Sequence, residues 1–100
     1  MRKLEKEIDL FRRILECIDS GNYLDTRHSA VRRFERGVSR TNIVFVLRNG
    51  IREKGRDRYD SQFRTWTYAI RGKDSSGRRL RIIIAFEDDF LLLVTAVTLD

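Results

Sequence analysis

The sequence predicts an α+β domain: N-terminal helices followed by a three- to four-stranded antiparallel sheet with helices on one face. Two observations predict it. Apolar residues recur at helical spacing up to about residue 50 and alternate after it, and the links between the alternating segments are short and polar. At 100 residues the chain is expected to fold as one domain over 1–100, and its 41% apolar residues suffice for a single core.

Leu4, Ile8, Phe11, Leu15 and Ile18 stand 4, 3, 4 and 3 residues apart, one stripe of an amphipathic helix from about Arg2 to Asp19, with Gly21 as its stop. Cys17 lies off the centre of that stripe and reads as a half-buried thiol. A second helix is predicted from Arg27 to Arg36, capped by Thr26 or Asp25 and ended by Gly37, with Ala30, Val31 and Phe34 on its apolar side. A third starts at the Ser39 cap, turns Ile43, Val44 and Leu47 inward and stops at Asn49-Gly50.

Beyond Gly50 the period becomes two. Residues Ile51 to Gln62 read as an exposed edge strand followed by a loop. Arg64 to Arg71 places Trp66, Tyr68 and Ile70 on one face, and Arg79 to Phe86 groups Leu80, Ile82, Ile84 and Phe86. Phe90 to Thr98 is apolar on both faces, as a central strand would be. The links 72–77 and 87–89 suit an antiparallel meander. Phe63, Trp66 and Tyr68 read as sheet-face packing rather than base-stacking residues, and Glu87-Asp88-Asp89 reads as a turn.

Lone Cys17 leaves no internal disulfide and no thiolate cluster, and no nucleotide cradle of the Gly-Lys-Ser/Thr type occurs. No metal and no cofactor are therefore expected. The apolar runs are about one strand long, so a cytoplasmic protein without a membrane segment is the expectation.

The net charge of +6 (21 Lys+Arg against 15 Asp+Glu) excludes an acidic calcium module and favours an anionic partner. That charge is unevenly placed. Residues 1–26 carry net −1, residues 27–81 carry 16 basic and 5 acidic side chains for +11, and residues 82–100 carry −4. Arg outnumbers Lys 17 to 4, a bias that suits bidentate phosphate recognition and that a GC-rich coding sequence would also produce.

His28, the one histidine, shares a helix edge with Arg32 and Arg36 at i, i+4 and i+8. An imidazole able to move protons near neutrality beside two guanidinium groups is what phosphodiester cleavage without metal would need. The plainer alternative makes His28 a packing or capping residue and the arginines a solvated face. A second proton-transfer group is missing from this row. Tyr68 and Tyr59 are the candidates, although a phenol near pKa 10 is a poor base without help.

The segment His28-Ser29-Ala30-Val31-Arg32-Arg33-Phe34-Glu35-Arg36-Gly37-Val38-Ser39 resembles the His-x3-Arg-Met-x2-Arg-Gly-Ile-Ser signature of a small prokaryotic family labelled a domain of unknown function. That family is similar to RelE/ParE-type toxins, within the barnase–EndoU–colicin–RelE group of ribonuclease folds. The resemblance runs from about Tyr23 to Leu99, a toxin-like core. It takes in the Asn49-Gly50 turn, Gly77-Arg78-Arg79-Leu80 and the late strand Val94-Thr95-Ala96-Val97. Arg33 stands where the signature has Met, and the helix over residues 1–20 lies outside the shared region.

What the resemblance implies is a RelE-like fold and a metal-independent ribonuclease of a toxin–antitoxin pair. His28 would transfer protons, Arg32 and Arg36 would hold phosphate, and Thr95 would orient the substrate. RNA and an acidic antitoxin-like protein are the expected partners. The alternative is a non-catalytic module that binds nucleic acid or an acidic protein with the same face. The N-terminal stripe Leu4–Ile18 would cover the core, contact a partner or form a homodimer.

Overall fold

The computed structural model describes residues 6–7, 9–61, 64–87 and 91–99, with Arg27 and His28 described by their backbone alone. Among the described residues, three helices stand against a six-stranded mixed sheet, two or three strands more than expected. The helices are α1 (Leu10–Asp19), α2 (Arg27–Glu35) and α3 (Arg40–Asn49). The strands are β1 (Tyr23–Asp25), β2 (Ile51–Arg52), β3 (Arg58–Asp60), β4 (Thr65–Lys73), β5 (Arg79–Phe86) and β6 (Leu92–Thr98). The sheet order is β1-β6-β5-β4-β2, and β3 pairs with β4 beyond β2.

The extra strands come from segments too short to show a period. β1 is three residues long and pairs parallel to β6, Leu24 opposite Leu93. Arg40 shields it, donating to the Tyr23 carbonyl (2.9 Å) with its guanidinium 4.4 Å from the Tyr23 ring centroid. Where the sequence predicts an edge strand followed by a loop over 51–62, two short strands, β2 and β3, stand on either side of a 3-10 turn at Lys54–Arg56. The break turns Glu53 toward Arg81 of β5 and buries Asp57 against Arg52, which donates at 2.6 Å.

α1 begins at Leu10, not Arg2. Lys6 and Glu7 are not helical because the sheet holds them: the Glu7 amide donates to the Tyr68 hydroxyl (2.8 Å), and Lys6 pairs with Asp57 (3.3 Å) above the Trp66 ring. Leu4 and Ile8 of the expected stripe lie outside the described residues, as do Phe63, Asp88, Asp89 and Phe90. Cys17 is buried rather than half-buried, because α1 packs on both α3 and the sheet and so buries a face wider than one stripe. Leu10, Ile14, Cys17 and Ile18 are thus already used inside the core.

Alternation on β5 works as the sequence predicts. Leu80, Ile82, Ile84 and Phe86 are buried beneath the helices with Ile70, Leu92 and Val94, each apolar side chain contributing about 1.5–3 kcal/mol. The intervening residues of β4, β5 and β6, among them Thr67, Ile83, Ala85, Leu93 and Thr95, form a half-exposed open face.

Gly50 is where α3 crosses β4. A Cβ there would meet the Val46 carbonyl at 2.6 Å and the Arg71 carbonyl at 2.7 Å, so only glycine permits the approach. The same end of β4 leads into the turn before β5. There buried Asp74 accepts from the Ser76 hydroxyl (2.7 Å) and from the amides of Ser76 and Arg78.

Candidate phosphate-binding notch

α2 is positioned by its ends. The Thr26 amide donates to the Val94 carbonyl (3.1 Å), which hands the chain from β1 to the helix, and the Thr26 hydroxyl accepts from the Ser29 amide (3.3 Å) as the expected cap. At the far end Gly37, at φ 69°, takes the left-handed position while the Val38 amide reaches back to the Arg33 carbonyl (2.9 Å). Arg78 then binds the carbonyls of Arg36 and Gly37 at 2.7 and 3.0 Å, and so closes the helix terminus with positive charge.

The face that α2 turns inward is not the expected one. Ser29 is buried and its hydroxyl accepts from the Ala96 amide (3.0 Å) at the exposed side of β6's ladder. Arg33 makes a two-pronged pair with Asp25 (3.1 Å each) and a third bond to the Val38 carbonyl (3.0 Å). These polar ties roll the helix so that Val31 and Phe34 face outward, 57% and 84% exposed. Arg33 is therefore a fastening of α2 to β1.

Rolling the helix this way lays its arginine edge along the end of β6. Arg32, Arg36 and Thr95 line one notch of about 130 Å³, together with Ser29, Arg33 and Thr98. Arg36 donates to the Thr98 hydroxyl at 2.8 Å, and the hydroxyls of Thr95 and Thr26 stand 3.3 Å apart. Arg32 is exposed, and no partner holds it among the described residues. Three of the four expected site residues thus come together although 63 positions separate Arg32 from Thr95. His28 is in the first turn of α2, one turn before Arg32 on the same edge by backbone placement; its side chain lies outside the described residues.

Neither tyrosine reaches the notch. Tyr68 is 2% exposed on the helix-covered face, and its burial pushes the phenol above its ordinary value. Tyr59 pairs opposite Trp66 on that same face and meets its ring edge-on at 5.8 Å. The packing reading of Trp66 and Tyr68 holds.

Sequence reasoning missed the Glu53–Arg81 pair. The Arg81 guanidinium donates to both Glu53 oxygens (2.5 and 3.1 Å). That hydrogen bonding, with Arg71 and Arg56 nearby, holds the Glu53 carboxyl below its usual range and raises Arg81. No local spacing links residues 53 and 81, and only the β2–β4–β5 pairing joins them.

Among the described residues no group of three His, Cys, Asp or Glu could hold a metal ion, and no helix is long and apolar enough to cross a membrane. In comparisons with known proteins, a family model described as a domain of unknown function (DUF4258) matches residues 26–98. The match opens at the Thr26 cap and leaves α1 and β1 outside it. No curated protein and no solved structure matches.

Proposed function

Since the chain belongs to the family described as a domain of unknown function (DUF4258), whose description assigns no activity, the site must carry the argument, and we propose that it is a metal-independent ribonuclease related to the RelE-type toxins. The observation that carries this reading is the convergence of Arg32, Arg36 and Thr95 on one notch beside the helix turn that bears His28. His28 takes the proton of the attacking 2′-hydroxyl or gives one to the leaving 5′-oxygen, and solvent water makes the other transfer. The 2′-oxygen bonds to phosphorus, the P–O5′ bond breaks, and a cyclic 2′,3′-phosphate and a 5′-hydroxyl result. Arg32 and Arg36 offset the charge that grows on the phosphoryl oxygens, and Thr95 orients the phosphate by hydrogen bonding.

Support for Arg32 as the phosphate ligand comes from its exposure and from its having no partner among the described residues, whereas Arg33 is already committed to Asp25. An acidic antitoxin-like protein suits the same helix, because exposed Val31 and Phe34 lie beside this basic edge.

A second reading, a non-catalytic module that binds nucleic acid or acidic protein, is favoured by one observation: among the described residues no carboxylate or tyrosine lines the notch. Incubating purified protein with single-stranded RNA in EDTA separates the two. The ribonuclease reading expects cleavage that falls at least a hundredfold in His28→Ala, with an unchanged far-UV spectrum. Cleavage that survives His28→Ala, or no cleavage of any RNA, refutes it, and retained binding without turnover selects the module.

A further inference from the structure

A larger groove lies on the open face of the sheet, about 270 Å³ in volume, and it shares a wall with the arginine notch. Ile83, Ala85 and Leu93 are among its lining residues, as are Thr26, Thr65, Thr67 and Thr95. The register explains the shape. Thr67, Ala85 and Leu93 are cross-strand partners in one row of β4, β5 and β6, and Ile83 and Thr95 are partners in the next row. The small side chain of Ala85 between two larger neighbours makes the depression. Thr95 lines both the groove and the notch, so one side chain separates them.

The two compartments differ in charge. Three arginines line the notch, whereas among the described residues no Lys or Arg lines the groove and the carboxylates Asp60 and Glu87 stand along it. A phosphate is favoured in the first and disfavoured in the second. The groove instead suits a neutral, flat group. Its aliphatic residues pack against a ring face, threonine hydroxyls both donate and accept at a ring edge, and the Glu87 carboxylate accepts from amino or imino N–H groups.

We propose that this groove takes one unpaired base of a single-stranded RNA while the adjoining phosphate lies on Arg32 and Arg36. The assignment deepens the ribonuclease reading and rests on it. A base inside a duplex keeps its face stacked and its edge paired and cannot enter, so the site selects single strands. The volume lies just below the usual range for drug-sized ligands, which suits a single base rather than a larger group.

The test uses the full chain in a His28→Ala background, which removes turnover, and fluorescence anisotropy with four probes: a short labelled single-stranded RNA, its duplex, an abasic strand of the same length, and polyglutamate. The single strand is expected to bind about tenfold tighter than the duplex or the abasic strand. Ala85→Leu, which fills the groove, loses about that tenfold on the single strand and nothing on the abasic strand. Ala85→Val, a milder filling with a side chain that strands accept well, gives an intermediate loss and guards against a misfolded Leu variant. Arg32→Ala weakens all three nucleic acids and lowers the single-strand salt slope by about 0.7. Single-strand affinity unchanged in both Ala85 variants, or equal binding of the abasic strand, overturns the groove while the Arg32 effect leaves RNA binding intact. Binding of polyglutamate as tight as that of RNA moves this face to an acidic protein. Absence of binding to any of these probes overturns both this assignment and the ribonuclease reading.

Discussion

Substituting Arg33 by Met, an uncharged side chain that is also long and unbranched, tests whether this arginine holds the fold or serves the anion. Arg33 is 18% exposed and Asp25 9% exposed at their side chains, and two bonds of 3.1 Å join them. Removing the guanidinium strips both donors from a nearly buried carboxylate and one from the Val38 carbonyl. A buried charge left without its partner costs about 3–5 kcal/mol, and residual solvent access at this edge site brings the expectation to about 2–3 kcal/mol. In urea, with a slope of about 1–1.5 kcal/mol/M for a chain of this size, the midpoint falls by roughly 2 M. The assay is equilibrium unfolding followed by far-UV circular dichroism, run on Arg33→Met, Asp25→Asn and the double variant. Because the double variant removes the orphaned charge, it should recover at least half of the loss, with a coupling above about 1 kcal/mol. RNA affinity of the folded Arg33→Met protein should stay within about twofold, against a larger drop in Arg32→Ala. A midpoint within about 0.5 M of the parent, or a coupling near zero, would falsify the assignment of Arg33 to the fold.

Two further outcomes follow from the same geometry. Burial pushes the Asp74 carboxyl up, but hydrogen bonds from Ser76 and Arg78 outweigh it and hold the group below its ordinary 3.8, as hydrogen bonding to Arg81 holds Glu53 below 4.5. Both folded-state values are depressed, so their contribution is complete above the ordinary values and is lost as pH falls through the folded ones. Urea midpoints should be flat from neutrality to about pH 5 and drop below it, less steeply in Asp74→Asn; a flat profile to pH 3 would contradict this. Gly50→Ala should cost about 1–3 kcal/mol in thermal unfolding, since two backbone carbonyls and Ile70 Cγ2 stand within 2.9 Å of the added carbon.

Much of the site was legible because it rests on local spacing. The Thr26 and Ser39 caps, the Gly37 stop and the i, i+4, i+8 row of His28, Arg32 and Arg36 depend on residues a few positions apart. Thr95 entered through the resemblance, and the structure places it against the arginine row. The inward face of α2 differs from the one that its apolar residues predict, for a physical reason. Apolar periodicity assumes that burial is driven by Val31 and Phe34, whereas this helix docks by a hydrogen bond that the Ser29 hydroxyl accepts from the Ala96 amide and by those that Arg33 donates. Polar docking leaves no hydrophobic signal in a sequence. Tyr68 and Tyr59 look available for proton transfer in the sequence because strand alternation names a face but not which face the helices cover.

The α+β class, the three helices, the three long strands and the concentration of positive charge in the middle of the chain were determined by the sequence alone, since each is a property of neighbouring residues. Tertiary structure decided what depends on partners far along the chain. It made Tyr23–Asp25 a parallel edge strand, drew Lys6 and Glu7 out of helix, joined Glu53 to Arg81 and set the arginine notch beside the threonine-lined groove. Each is a contact between segments tens of residues apart, and periodicity records which way a side chain points but not what it meets.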